Sequence, residues 1–179
     1  MTNTLYDALF APHTHSEALF LTLDDGGTQT YADFTGRVAQ LAHVLSQAGV
    51  NAGDRVLVQA PKVRDTIALY GAAVQTGAIY LPLNTAYTQA ELAYFIKDAA
   101  PKVVVCDTAT QAEVRSICAD DTQVLTLGAD GGGTLATLAG AQPTRFDTVA
   151  RGPGDLAALL YTSGTTGRSK GAMMSYKNL

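Results

Sequence analysis

Tyr161-Thr-Ser-Gly-Thr-Thr-Gly-Arg-Ser-Lys-Gly171 sets three glycines, a run of hydroxyl side chains and one lysine directly after the apolar stretch 156–160. A loop of this composition suits polyphosphate. Glycines let backbone N–H groups approach phosphate oxygens, hydroxyls add short donors, and the lysine brings a mobile positive charge. The apolar stretch reads as a buried strand feeding the loop, and 172–174 as a short strand leaving it. A Walker A loop needs Gly, four residues and then Gly-Lys-Ser/Thr. Here Arg168 and Ser169 stand between Gly167 and Lys170, so that template fails. A Walker loop also opens a helix and uses its N-terminal dipole, whereas this stretch reads strand, loop, strand. The dinucleotide pattern Gly-x-Gly-x-x-Gly is absent as well. Gly131-Gly132-Gly133 follows Asp130 with no buried strand before it and is expected to be a flexible surface turn.

Upstream of the loop, strand and helix patterns alternate. Segment 18–23 reads as a strand, turned by Asp25-Gly26-Gly27 into a second short one around Gln29. Thr30 is placed to cap a helix over 31–47, with Asp33 near its positive end. Phe34, Val38, Leu41, Ala42 and Leu45 fall on one face of it, and Gly49 ends it. Strands are expected at 55–59, 79–83, 103–106 and 124–127, with helices at 63–76, 88–98 and 110–119 between them. Thr88-x-x-Glu91 has the form of a capping box, and Pro101 stops the helix that follows. The order implies an α/β fold, a mainly parallel sheet covered by helices.

Composition narrows the function classes. The chain has 179 residues, 47% hydrophobic, with formal net charge −4 and no basic block, which speaks against a nucleic-acid partner. No apolar run approaches the length of a membrane span, so no membrane partner is expected. The first basic residue is Arg37, so neither a secretory signal nor an Arg-rich transit peptide is expected, and the localisation implied is cytoplasmic. Cys106 and Cys118 lack metal-ligand spacing and are expected as reduced, buried thiols.

The string at 161–171 resembles the signature phosphate loop of the adenylate-forming superfamily, which comprises acyl-CoA synthetases, luciferases and peptide-synthetase adenylation domains. Those loops look like Tyr-Thr-Ser-Gly-[Ser/Thr]-Thr-Gly-x-Pro-Lys-Gly. This chain departs from them at Ser169, where proline is usual, and serine leaves φ unlocked there. Three further segments resemble the superfamily: Thr30-Tyr31 through Leu41, Gly53-Asp54-Arg55-Val56, and Gly77-Ala78-Ile79-Tyr80-Leu81-Pro82-Leu83. In the last of these, Tyr80 and Leu83 are expected to build the sheet. The resemblance therefore covers nearly the whole chain. Leu81-Pro-Leu-Asn-Thr-Ala-Tyr-Thr88, Glu91-Leu92-x-Tyr94-Phe95-Ile96-x-Asp98-Ala99, Pro101-Lys102-Val103 and the ending Gly167-Arg-Ser-Lys-Gly171 resemble the bacterial malonyl-CoA synthetases in particular. Tyr176 stands where many relatives place histidine, and no role is expected of it.

The resemblance implies a two-step acid–thiol ligase. A carboxylate, malonate or similar, attacks the α-phosphorus of Mg²⁺-ATP to give an acyl-adenylate and diphosphate, and coenzyme A then displaces AMP. By motif position, Thr162, Ser163, Thr165, Thr166 and Ser169 would supply hydroxyl or backbone donors to the phosphates. Gly164 and Gly167 would permit close approach, Arg168 would assist, and Lys170 would neutralise the departing diphosphate. No catalytic residue and no protein ligand for magnesium is assigned. Residues 1–179 are expected to be the N-terminal part of the AMP-binding domain, with its remainder and a small C-terminal domain lying beyond, and the piece alone is expected to be inactive. Ser175 is expected to cap a helix beginning at Tyr176. Three alternatives remain open: another short-chain acyl-CoA synthetase, a peptide-synthetase adenylation domain, or a non-catalytic nucleotide-binding protein. His13 and His15 are expected in an irregular surface segment, His43 packed or facing water, Asp24-Asp25 and Asp120-Asp121 in turns, and Lys62 and Arg64 at a solvated helix start.

Overall fold

The computed structural model describes residues 2–23, 26–162 and 169–179. A six-stranded sheet dominates it. Its strands are β3 (Arg55–Gln59), β4 (Ile79–Pro82), β5 (Val103–Cys106), β6 (Gln123–Thr126), β7 (Leu156–Thr162) and β8 (Lys170–Ser175), in the order β6-β5-β3-β4-β7-β8. Neighbours are parallel except at the edge, where β8 returns antiparallel to β7. A separate hairpin pairs β1 (Leu19–Thr22) with β2 (Thr28–Thr30).

The strand sequences are apolar on both faces because both faces are covered. Side chains alternate along a strand, so Val56, Val58, Val103 and Val105 enter one core while Leu57, Val104 and Cys106 enter the other. The first core is closed by α1 (Thr4–Leu9), α2 (Tyr31–Gln47), α3 (Arg64–Thr76) and α6 (Thr134–Gly140). The second is closed by α4 (Gln89–Ala99) and α5 (Gln111–Ile117). At the α2–α3 contact, a Cβ on Gly71 would lie 2.7 Å from Val38 Cγ2, so glycine lets the two helices approach.

Two capping boxes fix helix starts. Asp33 N donates to Thr30 Oγ1 at 3.1 Å while Thr30 N donates to Asp33 Oδ2 at 3.1 Å. At α4, Thr88 N donates to Glu91 Oε2 at 2.8 Å, and Glu91 N returns a bond to Thr88 Oγ1. These backbone bonds hold the Asp33 and Glu91 carboxyls below their ordinary values of 3.8 and 4.5. A pKa lower in the folded than in the unfolded chain gives stabilisation that is complete above the unfolded value and is lost as pH falls through the folded one. Urea denaturation is therefore expected to show falling stability below about pH 4, with a weaker slope in Thr30→Ala/Thr88→Ala. At neutral pH, Thr88→Ala alone is expected to cost about 1 kcal/mol.

The far end of α4 explains the Gly53-Asp54-Arg55-Val56 segment. Arg55 Nε donates to Ala99 O and Nη2 to Ala100 O, each at 2.7 Å, so a strand residue neutralises the last carbonyls of the neighbouring helix.

Three readings are corrected or extended. The first is α1, which had not been anticipated: Asn3 caps it by accepting from Tyr6 N and also donates to Val74 O and Val149 O. Next, Gly131–Gly133 is not a free turn. Gly133 sits at φ +125° with an ideal Cβ position 2.3 Å from Thr126 O, and it leads into α6, which also had not been foreseen. In place of an irregular segment, residues Ala11–His13 form a 3-10 turn with His13 stacked on Tyr31 at 4.6 Å. After Ser175 the expected turn is present: Ser175 N and Oγ donate to Asn178 Oδ1 at 3.0 and 2.7 Å, and Asn178 N donates to Ser175 O at 2.9 Å.

Candidate functional site

The two expected strands are present, and both run further toward segment 163–168 than the stretches 156–160 and 172–174 read from the sequence. β7 is in register with β4 at Tyr80 and Ala158, and residues 159–162 are paired with β8, ending at Thr162 opposite Lys170. Loop 163–168 thus springs from the carboxyl end of a strand that runs parallel to the sheet, where open α/β sheets place their ligands. Of the nine residues read as phosphate contacts, Thr162 closes β7, Ser169 follows the loop, and Lys170 opens β8. Ser163, Gly164, Thr165, Thr166, Gly167 and Arg168 lie outside the described residues.

The hairpin has one closed and one open face. Leu159 and Tyr161 pack against α4, and the alternation of a strand sends Leu160 and Thr162 to the other side. Directly opposite residues share a face, so Lys170 and Ala172 join Thr162 and Leu160 there, and all four are exposed. A hydroxyl and an ammonium therefore stand side by side on an open face at the mouth of the loop. Their chemistry, a donor beside a mobile cation, fits a polyanion.

Tyr161 is held from the closed face. Its ring lies 4.5 Å from that of Phe95, and its Oη donates to Asp98 at 2.5 Å. Burial, and then the bond to Asp98, push the phenol pKa well above its ordinary value. On the loop's exit, Tyr94 Oη donates to Ser169 O at 3.0 Å. Sequence reasoning had treated Tyr94 and Asp98 as scaffold alone; the only available signal was a hydroxyl and a carboxylate four residues apart on one helix.

Other candidates resolve into structural roles. Tyr80 is buried, and its phenol is pushed up to about 12 by burial and by neighbouring Tyr70. His43 shares a 2.8 Å hydrogen bond with Arg145 O and packs edge-on against Phe146. Lys62, Arg64 and His15 are exposed. Cys106 is buried, its thiol raised to about 11, whereas Cys118 is only half-buried. Among the described residues, no group of three or more His, Cys, Asp or Glu comes together to hold a metal, and no helix is long and apolar enough to cross a membrane.

A crevice of about 1110 Å³ runs along α2 and takes no residue from β7 or β8. Its most buried cation, Arg37, is already committed to Asp65 through bonds of 3.0 and 2.6 Å. That pairing leaves the guanidinium little capacity for a phosphate.

Comparison with known proteins identifies a family along nearly the whole chain. The family model described as AMP-binding enzyme matches residues 10–179. The crystal structure of ATP-bound MatB from Rhodopseudomonas palustris is 46% identical with a TM-score of 0.95, covering 100% of this chain and 36% of that one. Feruloyl-CoA synthase from Amycolatopsis is 35% identical over 158 residues, 86% of this chain and 30% of its own length. A probable non-canonical nonribosomal peptide synthetase, CymA of Salinispora arenicola, is 33% identical over 160 residues, 87% of this chain and 2% of its own. The chain thus spans about a third or less of these relatives.

Proposed function

The chain belongs to the AMP-binding enzyme family, and on that footing we propose that it forms the triphosphate-holding part of an ATP-dependent acid–thiol ligase whose acid is malonate. The observation that carries this reading is whole-chain similarity, at 46% identity and a TM-score of 0.95, to a MatB structure with ATP bound. The resemblance of segments 81–88, 91–103 and 167–171 to bacterial malonyl-CoA synthetases supports the choice of acid.

The chemistry asked of these residues is electrostatic. When a carboxylate oxygen attacks the α-phosphorus, the bond to the β-phosphate bridging oxygen breaks and negative charge gathers on diphosphate. Donors already aimed at that charge stabilise the transition state more than the ground state. Thr162, Ser163, Thr165, Thr166 and Ser169 supply such donors, Gly164 and Gly167 leave room for backbone N–H groups, and Arg168 and Lys170 add positive charge. Magnesium, when bound, would neutralise part of the same charge. Coenzyme A thiolate then takes the acyl group from the adenylate and AMP leaves.

The test uses the whole polypeptide that the reading frame encodes. With ATP, magnesium and coenzyme A, malonate is expected to give AMP and malonyl-CoA in equal amounts by mass spectrometry. AMP release driven by an amino acid or an aryl acid, with none from malonate, would sink malonate as the substrate. Absence of AMP with every acid tried would favour nucleotide binding without turnover.

A further inference from the structure

Both ends of loop 163–168 are tied to one helix. Tyr94 Oη holds the carbonyl of Ser169 at 3.0 Å, and Asp98 accepts from Tyr161 Oη at 2.5 Å. Tyr94 and Asp98 stand four residues apart, so they project from the same face of α4. Phe95 lies between the two tyrosines, 5.5 Å from the Tyr94 ring and 4.5 Å from the Tyr161 ring.

Packing alone does not require these polar atoms. Phenylalanine at 94 and 161 would fill the same apolar space, and Asp98 is exposed. What the polar atoms add is direction. A half-buried tyrosine ring with its hydroxyl committed fixes where the strand end sits, and it does so next to the last strand pair, Thr162 with Lys170. At the exit, the backbone carries serine where related loops carry a φ-locking proline. The Tyr94 bond restrains the carbonyl of that same residue.

We propose that Tyr94 and Asp98 are positioning residues for the triphosphate, acting through Ser169 and Tyr161 to fix the facing ends of β7 and β8, where Thr162 and Lys170 stand opposite each other. The proposal rests on the phosphate reading of 161–171 given above. Strand ends that are already fixed hold the Thr162 hydroxyl and the Lys170 ammonium nearer the arrangement a polyanion needs, so less ordering is left to binding.

The test compares Tyr94→Phe, Asp98→Ala and Asp98→Asn in the whole encoded polypeptide, reading ATP affinity by calorimetry and amide hydrogen exchange by peptide. Tyr94→Phe and Asp98→Ala are expected to speed exchange in peptides spanning 159–172 and to weaken ATP binding roughly threefold to tenfold. Exchange in β3 and β5 should stay unchanged. Asp98→Asn, which keeps an acceptor oxygen, should recover part of the loss. Wild-type exchange and affinity in both variants would overturn the proposal. So would faster exchange spread evenly over β3 and β5, or faster local exchange with unchanged ATP affinity. If exchange rises locally but the unaltered protein binds no ATP, the phosphate reading itself falls and the positioning role with it.

Discussion

Replacing Lys170 by alanine in the whole encoded polypeptide is expected to slow malonate-dependent ATP–diphosphate exchange by roughly 10²–10³-fold while leaving the fold intact. Lys170 is exposed at the first residue of β8, opposite exposed Thr162. Its side chain buries little, and substitutions at such surface positions usually move stability by no more than about 0.5 kcal/mol. The loss should fall on chemistry. A unit charge about 4 Å from a phosphate oxygen, at an effective dielectric near 20, interacts by roughly 4 kcal/mol, and only the part that grows as the diphosphate departs lowers the barrier. Lys170→Arg keeps the charge but replaces a flexible point cation by a planar fork, so it should restore much of the rate without reaching the original. Parallel urea melts keep a folding defect from being mistaken for a catalytic one. A loss below threefold in Lys170→Ala would remove the lysine from the phosphate site.

That residue could be singled out from the sequence because its neighbours carry chemistry that nothing else explains. The same holds for the sheet. Segments 55–59 and 103–106 are short β-branched or aliphatic runs bounded by turn residues, and both faces of a covered parallel sheet demand that composition. Thr30 with Asp33, and Thr88 with Glu91, announce helix starts through bonds spanning three residues. Local rules work where the partner is local.

Where the partner is distant they fail. Asn3 caps α1 and also bonds to carbonyls 71 and 146 residues away, so its importance is invisible until the chain is folded. Helix α6 is seven residues of weak pattern behind three glycines. It is secured by a reciprocal pair in which Thr126 N donates to Thr134 Oγ1 and Thr134 N to Thr126 Oγ1, each at 2.9 Å. The latch from α4 belongs to the same class: Tyr94 meets a backbone oxygen 75 residues further on. The hydroxyl and lysine chemistry of 161–171 could be read from the sequence, and so could helix α4, but not that the one holds the stems of the other.

Tyr176 makes the point in energetic terms, because at this position with no expected role a substitution should cost several kcal/mol, about as much as truncating any buried ring. Its ring is 4% exposed within the core beneath α3, and Arg151 lies over its face at 5.9 Å. Its Oη donates to Val74 O at 3.3 Å, joining Asn3 Nδ2 at 2.8 Å and Gly77 N at 3.1 Å on the same carbonyl. That carbonyl lies in the last turn of α3, where helical C=O groups lack intrahelical donors and carry the negative end of the dipole. Tyr176→Ala should therefore lose aromatic packing and a donor together, costing about 3–5 kcal/mol by urea denaturation. Tyr176→Phe, which keeps the ring, should cost only about 1 kcal/mol. The difference matters for the site. Tyr176 pins the outgoing end of β8 to α3 while Tyr94 pins the residue just before its start, so Lys170 sits on a strand anchored beyond both ends. If Tyr176→Ala costs less than about 1.5 kcal/mol, below the usual range for truncating a buried ring, β8 is held by its pairing with β7 alone.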